Sequence, residues 1–307
     1  MRFDRFADVG EERWIERAGV AVPTESVQTE LVRAEPYHVV PDLEEVINLA
    51  LALGRPLLLQ GDPGAGKTRL AHHIAYVLGC PLEAAHVKST SAARDLLYTF
   101  DAVRRLFDSQ LPAQQGGTDV DPARYVRLGP LGRAIRRATY GRMSVVLVDE
   151  IDKADIDYPN DLLHELDQLA FEVPEAEGLG AAVGSGAGHV RPLVVVTNNE
   201  EKTLPAAFLR RCIFHYIEFP AADDLDRILQ LHTFTDPSLR AAAIRVLLEL
   251  REAGLTRRPG LSELIDWLGY LQAINAPAEG LDGLPLLGAL IKQRGDQLRV
   301  KARQART

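Results

Sequence analysis

Apolar residues recur at helical spacing in Leu43, Val46, Ile47, Leu49 and Ala50, which predicts a helix beginning near Pro41. The run Pro56-Leu57-Leu58-Leu59-Gln60 that follows is too short for a buried helix and has the length of a buried strand. Leu70, Ala71, Ile74, Val77 and Leu78 then restore the helical period. Further strand-like runs are Leu82 to Val87, Ser144 to Val148, Leu193 to Thr197 and Ile213 to Phe219, with helical patterns such as Asp161 to Leu169 between them. Strands alternating with helices predict the α/β class: a parallel sheet flanked by helices, with ligands at the carboxyl ends of the strands. Beyond Pro220 the strand signal stops. Amphipathic patterns follow over Leu225 to Leu231, Leu239 to Leu250, Leu261 to Leu271 and Leu284 to Leu298, broken by Pro237, Pro259 and Pro277. The chain therefore reads as an N-terminal extension (1–36), an α/β domain (37–220) and a small all-helical C-terminal domain (221–307).

The link between the first strand and its helix is Gly61-Asp62-Pro63-Gly64-Ala65-Gly66-Lys67-Thr68, followed by Arg69. Strand, G-x-x-x-x-G-K-[ST] and helix are the parts of a phosphate-binding loop. Its glycines let successive N–H groups turn inward, Lys67 can reach the outer phosphates, and the Thr68 hydroxyl can ligate Mg²⁺. A nucleoside triphosphate is the expected ligand.

A second chemical signal is Val145-Val146-Leu147-Val148-Asp149-Glu150, a buried-type strand ending in two carboxylates. At the carboxyl end of a parallel strand, Asp149 can hold Mg²⁺ and Glu150 can polarise an attacking water. Seen alone, the pair would be a solvated acidic turn; Asp152 and Lys153 read as capping residues or subunit contacts. Another buried strand ends in Thr197-Asn198-Asn199, where an amide could donate to a γ-phosphate and accept from water. Alone, Asn-Asn after a strand is a turn whose side chains cap the next helix. Arg210 and Arg211 end a short helix-like segment before the last strand, and Arg257-Arg258 precede Pro259-Gly260. A fixed guanidinium suits charge developing on a transferred phosphoryl group, although arginines also simply complete helix ends.

A formal net charge of -8 argues against a surface built for nucleic acid, and Arg133, Arg136, Arg137 and Arg142 read as a solvated helix face or a subunit contact. Two cysteines without a C-x-x-C spacing suggest neither a disulfide framework nor structural zinc, and fit the cytoplasm. The first residues lack the apolar core of a signal peptide, and no apolar stretch is long enough for a membrane span. The glycine-rich segment Glu175 to His189 is expected to contribute little core.

With these elements in order, the chain resembles the AAA+ ATPases, and within them the MoxR family and its CoxD-like branch, over roughly residues 35 to 275. The phrases SAARDLLYTFDAVRRLFDSQ, YVRLGPLGRAI, VVLVDEIDKA, TNNEEKTLPAAFLRRC and RRPGLSELIDWL carry the likeness beside GDPGAGKT. The resemblance implies that Gly61 to Thr68 are Walker A, Asp149 and Glu150 Walker B, Asn199 (with Asn198 one place earlier) sensor 1, Arg211 (with Arg210 beside it) an arginine finger, and Arg258 sensor 2. It also implies an insertion around Leu96 to Tyr125, a hairpin from about Phe171 to Pro192, and a hexameric ring. The ring would bind ATP and Mg²⁺ and act on a protein client beside a partner bearing a von Willebrand factor A domain. Two other functions compete: a DNA-directed motor, which the acidic balance disfavours, and a non-hydrolysing nucleotide-dependent assembly switch, which Glu150 disfavours.

Overall fold

The structure is a computed structural model of the chain and describes all residues except 6, 8, 20–27, 111–120, 185–188, 284 and 305–307. In order, the strands are β1 (Glu12–Glu16), β2 (Thr29–Arg33), β3 (Leu57–Gly61), β4 (Leu82–His86), β5 (Tyr98–Phe100), β6 (Val126–Leu128), β7 (Val145–Asp149), β8 (Ala170–Phe171), β9 (Ala181–Ala182), β10 (Leu193–Asn198) and β11 (Ile213–Ile217). The helices are α1 (Pro41–Leu53), α2 (Lys67–Leu78), α3 (Ala102–Gln110), α4 (Pro130–Thr139), α5 (Tyr158–Gln168), α6 (Ala206–Arg211), α7 (Ala222–Leu231), α8 (Pro237–Glu252), α9 (Leu261–Ala273), α10 (Leu287–Leu290) and α11 (Arg294–Gln304). The chain forms two compact units. One comprises Met1–Glu35, Val40–Gln60 and Ala71–His215; the other comprises Pro36–Val39, Gly61–Leu70 and Tyr216–Thr307.

A five-stranded parallel sheet in the order β11-β3-β10-β7-β4 organises the first unit. β10 pairs in parallel with both β3 and β7, so Val195 lies opposite Leu57 on one side and Leu147 on the other. Such strands are buried on both faces, which explains their continuous apolar runs in place of alternation. Leu58, Val146, Val148, Val194 and Val196 face a core completed by Leu131 and Ile135 of α4, Leu162 and Leu166 of α5, and Phe208 of α6. Helix α1 starts with Pro41, whose missing N–H costs nothing there, and stops at Gly54 in the left-handed conformation.

Three features of the first unit depart from the sequence reading. The N-terminal extension contains an antiparallel hairpin, β1 with β2, in which Trp14 pairs with Leu31. Its short strands show too few buried positions to be legible. The arginines of α4 are not a solvated face. Arg137 is 1% exposed, with Nη2 donating to the Arg17 carbonyl at 2.7 Å and the guanidinium paired to Glu16 (3.4 Å) and Glu83 (3.5 Å). Arg133 pairs with Glu83 at 2.7 Å, Arg142 with Glu16 at 3.0 Å, and the Gly19 N–H donates to Glu83. Burial pushes the Arg137 pKa down, and the two carboxylates oppose that. The third departure is the glycine-rich segment. Ala176 lies in the core, and Glu175 accepts from the Tyr98 hydroxyl at 3.2 Å and pairs with Arg94. A Cβ on Gly180 would meet the Phe171 carbonyl at 2.7 Å, so the missing side chain permits close packing at this position. The rest of that segment, 185–188, lies outside the described residues, as do 111–120 of the expected insertion. What is described of the insertion is β5 paired with β6 and the helix α3; the expected hairpin is β8 with β9.

In the second unit α7, α8, α9, α10 and α11 enclose a core around Leu229, Leu247, Trp267 and Leu290. Asp236 starts α8 by accepting from the N–H groups of Ser238 and Leu239, the work of an N-cap. The amphipathic pattern Leu284 to Leu298, whose first residue lies outside the described residues, holds two helices, α10 and α11, because Ile291 turns extended between them. That break leaves Leu298 exposed and buries Val300.

Candidate active site

The phosphate loop belongs to the second unit. Gly61 has φ 152°, and a Cβ there would meet the Ile217 carbonyl at 2.5 Å, so no other residue fits without moving backbone. Gly66, at φ 90°, packs against the ring of Tyr37, a half-buried residue whose hydroxyl pKa is raised by desolvation. Lys67 is buried, its ammonium donating to the carbonyls of Gly61 (2.7 Å) and Asp62 (2.9 Å), which stretches the side chain along the loop. Asp62 pairs with Arg251 of α8 at 3.0 Å; Arg251 also donates to the Pro259 carbonyl and lies over the Phe219 ring. Pro63, Gly64 and Arg69 are exposed, Ala65 is buried and Thr68 is half-buried. Arg258 is exposed in the turn before α9. The backbone of that turn is held where Asp296 accepts from the N–H groups of Thr256 (3.1 Å) and Arg257 (3.2 Å). Those bonds, led by the one from Thr256, lower the Asp296 pKa.

The carboxylates belong to the first unit, at the ends of β7 and β10. Asp149 is buried, and its Oδ1 accepts from the Thr197 hydroxyl at 2.7 Å. The same hydroxyl oxygen accepts from the N–H of Glu150 at 2.8 Å. Glu150 has left-handed backbone angles, φ 59° and ψ 55°, which turn its carboxylate out of the strand into the open. A non-glycine residue held so is uncommon and is kept only by surrounding bonds. Asn199 donates its amide to Glu150 Oε1 at 3.1 Å, whereas Asn198 is buried and its Oδ1 accepts from the N–H of Glu200. Of the doubled asparagines, one closes its own turn and the other faces the outer carboxylate. His86, ending β4, places Nδ1 3.2 Å from Asp149 Oδ2.

Thus Asp149, Glu150 and Asn199 come together, joined by Thr197 and His86, neither of which the sequence reading singled out. Thr197 had a readable signal, a hydroxyl in an otherwise aliphatic strand directly before the amides; His86 had none. Arg211 and Arg210 stand exposed at the end of α6, with Arg211 paired to Asp167 at 3.1 Å where both side chains are half exposed. Among the described residues no helix is long and apolar enough to cross a membrane. The donors fit the expected groups. The Thr68 hydroxyl in one unit and the Asp149 carboxylate in the other are each of the oxygen-donor type that would suit Mg²⁺. The loop with its glycines and lysine suits a triphosphate.

The AAA domain of the dynein-related subfamily matches residues 56–212, just over half of the chain, and the chain belongs to that family. The family is one of nucleotide-binding, nucleotide-hydrolysing ATPases. Among curated proteins, the denitrification regulatory protein NirQ of Stutzerimonas stutzeri is 28% identical over 70% of this chain and 70% of its own length. Midasin of Giardia intestinalis is 28% identical over 61% of this chain, and protein CbbQ of Hydrogenophilus thermoluteolus is 39% identical over 23% of it. The matched segments span only 3% of midasin and 27% of CbbQ.

Proposed function

We propose that this chain is an ATP-hydrolysing AAA+ ATPase of MoxR type, of the CoxD-like branch, that remodels or activates partner proteins. The observation that carries the hydrolytic part is Glu150: a carboxylate turned outward by a left-handed backbone, tied through its N–H to the threonine that holds Asp149, and touched by the Asn199 amide. A site that only held nucleotide would need no second carboxylate kept in that conformation. The likeness to NirQ and CbbQ supports the MoxR type, and the name of NirQ supports a regulatory role, while the CoxD-like branch rests on the sequence resemblance alone.

In this reading Gly61 to Thr68, with Arg69, receive the phosphates, and Lys67 neutralises the outer ones. Thr68, and Asp149 through the ion's water shell, would hold Mg²⁺, which when bound would draw charge from the phosphoryl oxygens. Glu150 takes the proton of the attacking water, Asn199 orients that carboxylate as sensor 1, and Arg211 or Arg210 acts in a neighbouring subunit. Arg258 acts as sensor 2. The accompanying assembly is a homo-oligomeric ring, hexameric by the family pattern, in the cytoplasm, with a protein client and a partner bearing a von Willebrand factor A domain. The chain's divisions are an N-terminal extension (1–36), a nucleotide-binding α/β domain (37–220) and a helical lid domain (221–307), the extension being bonded to the α/β domain through Glu16, Arg17 and Gly19.

Steady-state ATP turnover and nucleotide affinity of Glu150→Gln and Lys67→Ala test the reading. Glu150→Gln is expected to bind ATP normally and to lose turnover by about 10²-fold or more, the range for a positioned acid-base group, while Lys67→Ala loses affinity itself. Near-normal turnover in Glu150→Gln would overturn the assignment.

A further inference from the structure

Asp152 lies two residues beyond Glu150, in the turn Ile151–Lys153, and takes no part in the chemistry described so far. It is 2% exposed. Its Oδ2 accepts from the backbone N–H of Asn199 at 3.2 Å and from that of Glu201 at 3.1 Å, while Oδ1 is buried without a hydrogen-bond partner. A carboxylate removed from water to this degree is unfavourable unless its hydrogen bonds compensate, so an ordinary turn cap would be expected nearer solvent. Neighbouring contacts join the same two turns: Lys153 pairs with Glu201, and the Lys202 ammonium donates to the Ala154 carbonyl. The turn after β7 is thus fastened to the turn after β10. The residue held by its backbone at the centre of that fastening, Asn199, is the one whose amide reaches Glu150.

We propose that Asp152 is a positioning residue for hydrolysis: by holding the main chain of Asn199 and Glu201, it sets the Asn199 amide against the Glu150 carboxylate. The proposal rests on the reading of Glu150 as the group that takes the proton from water. It differs from a capping or subunit-contact role, because it requires Asp152 and Asn199 to act on the same quantity. A carboxylate accepting two N–H bonds makes charge-assisted bonds, stronger than those an amide oxygen makes. An Asn at this position would keep an acceptor for both N–H groups while weakening both bonds.

The test uses the full chain and four variants, Asp152→Ala, Asp152→Asn, Asn199→Ala and the double Asp152→Ala/Asn199→Ala, with kcat, KM for ATP, nucleotide affinity and the thermal midpoint measured on each. Asp152→Ala is expected to lower kcat by about 10- to 100-fold, the range for side chains that orient a reacting ligand without touching it, with KM and affinity little changed. The double variant should be no slower than the slower single, since both changes remove one arrangement. Asp152→Asn should fall between the parent and Asp152→Ala. Losses that multiply in the double variant, or a fall in affinity that accounts for the loss, would overturn the proposal. So would parental turnover in Asp152→Asn, even if Asp152→Ala fails to fold. Glu150→Gln in the same assay separates the two readings: if it is inactive while Asp152→Ala turns over normally, only the positioning role fails; if it is active, the site reading fails first.

Discussion

At the scale of single residues, Thr197 has the most consequential side chain that the motifs do not name. One hydroxyl donates to Asp149 and accepts from the N–H of Glu150, so it fixes the Asp149 carboxylate and the backbone of Glu150 relative to β10. Thr197→Val keeps the shape of the strand but leaves a buried carboxylate oxygen and a backbone N–H without that partner. Leaving such groups unpaired costs about 1–3 kcal/mol each. We expect a chemical-denaturation midpoint shifted by a loss of that order and a lower kcat, with Thr197→Ser, which keeps the hydroxyl, close to the parent. A Val variant with parental stability and turnover would mean that Glu150 keeps its left-handed backbone without this bond. The doubled asparagines make a related point. The sequence could place an amide at the end of β10, but the choice between Asn198 and Asn199 depends on which way the strand end turns. That direction is set by the bonds of Asp152 and Glu200 and not by residue type.

At the scale of elements, the strands and helices of the α/β core were legible because each buries a continuous or periodic apolar face. The runs at β3, β7 and β10 lie within a residue or so of the observed bounds. What was not legible depends on partners distant in sequence. Nothing in the spacing of Arg133, Arg137 and Arg142 discloses that Glu83 of β4 and Glu16 of β1 face them. The hairpin of β1 and β2 is held by that network and by Arg13, which donates to the carbonyls of Tyr76 and Val77 at the end of α2. Removing one member of a buried ion pair costs about 3–5 kcal/mol, because its partner stays behind unneutralised. Here Arg137→Met leaves Glu83 with Arg133 and Glu16 with Arg142 but removes the donor to the Arg17 carbonyl, so a smaller loss of about 1–3 kcal/mol is expected in urea titrations, and Glu83→Met, which strips Arg133, Arg137 and the Gly19 N–H of their shared acceptor, should cost more. A loss under about 1 kcal/mol would return these arginines to the solvated class.

At the scale of the whole molecule, membership of the AAA ATPases was readable because the phosphate loop, the acidic strand end, the amide strand end and the arginine-bearing helix occur in a fixed order along the chain. Assembly is the part that a single chain carries least directly. Arg211 spends its charge on a half-exposed pair with Asp167, a contact worth about 0–1 kcal/mol, so it can leave that partner at little cost. If it serves a neighbouring subunit, a subunit carrying Arg210→Ala/Arg211→Ala mixed with a Lys67→Ala subunit should regain hydrolysis that neither has alone, since an arginine finger is worth about 10³ to 10⁵ in rate. Mixtures that co-assemble without regaining activity would exclude the role in trans.

The buried arginine of α4 also bears on where this protein can be cut. The family match begins at residue 56, which would mark everything earlier as dispensable. Yet Glu83, inside the match and 1% exposed, takes a hydrogen bond from the Gly19 N–H, and its companion Arg137 donates to the Arg17 carbonyl and pairs with Glu16. Excising the earlier residues would remove one acceptor and one counter-charge from Arg137 together with a donor to Glu83, leaving both charges facing a newly opened edge. A piece cut at the start of the recognisable homology is therefore expected to be less stable than one that keeps the hairpin, which works as a wall of that domain rather than an appendage to it.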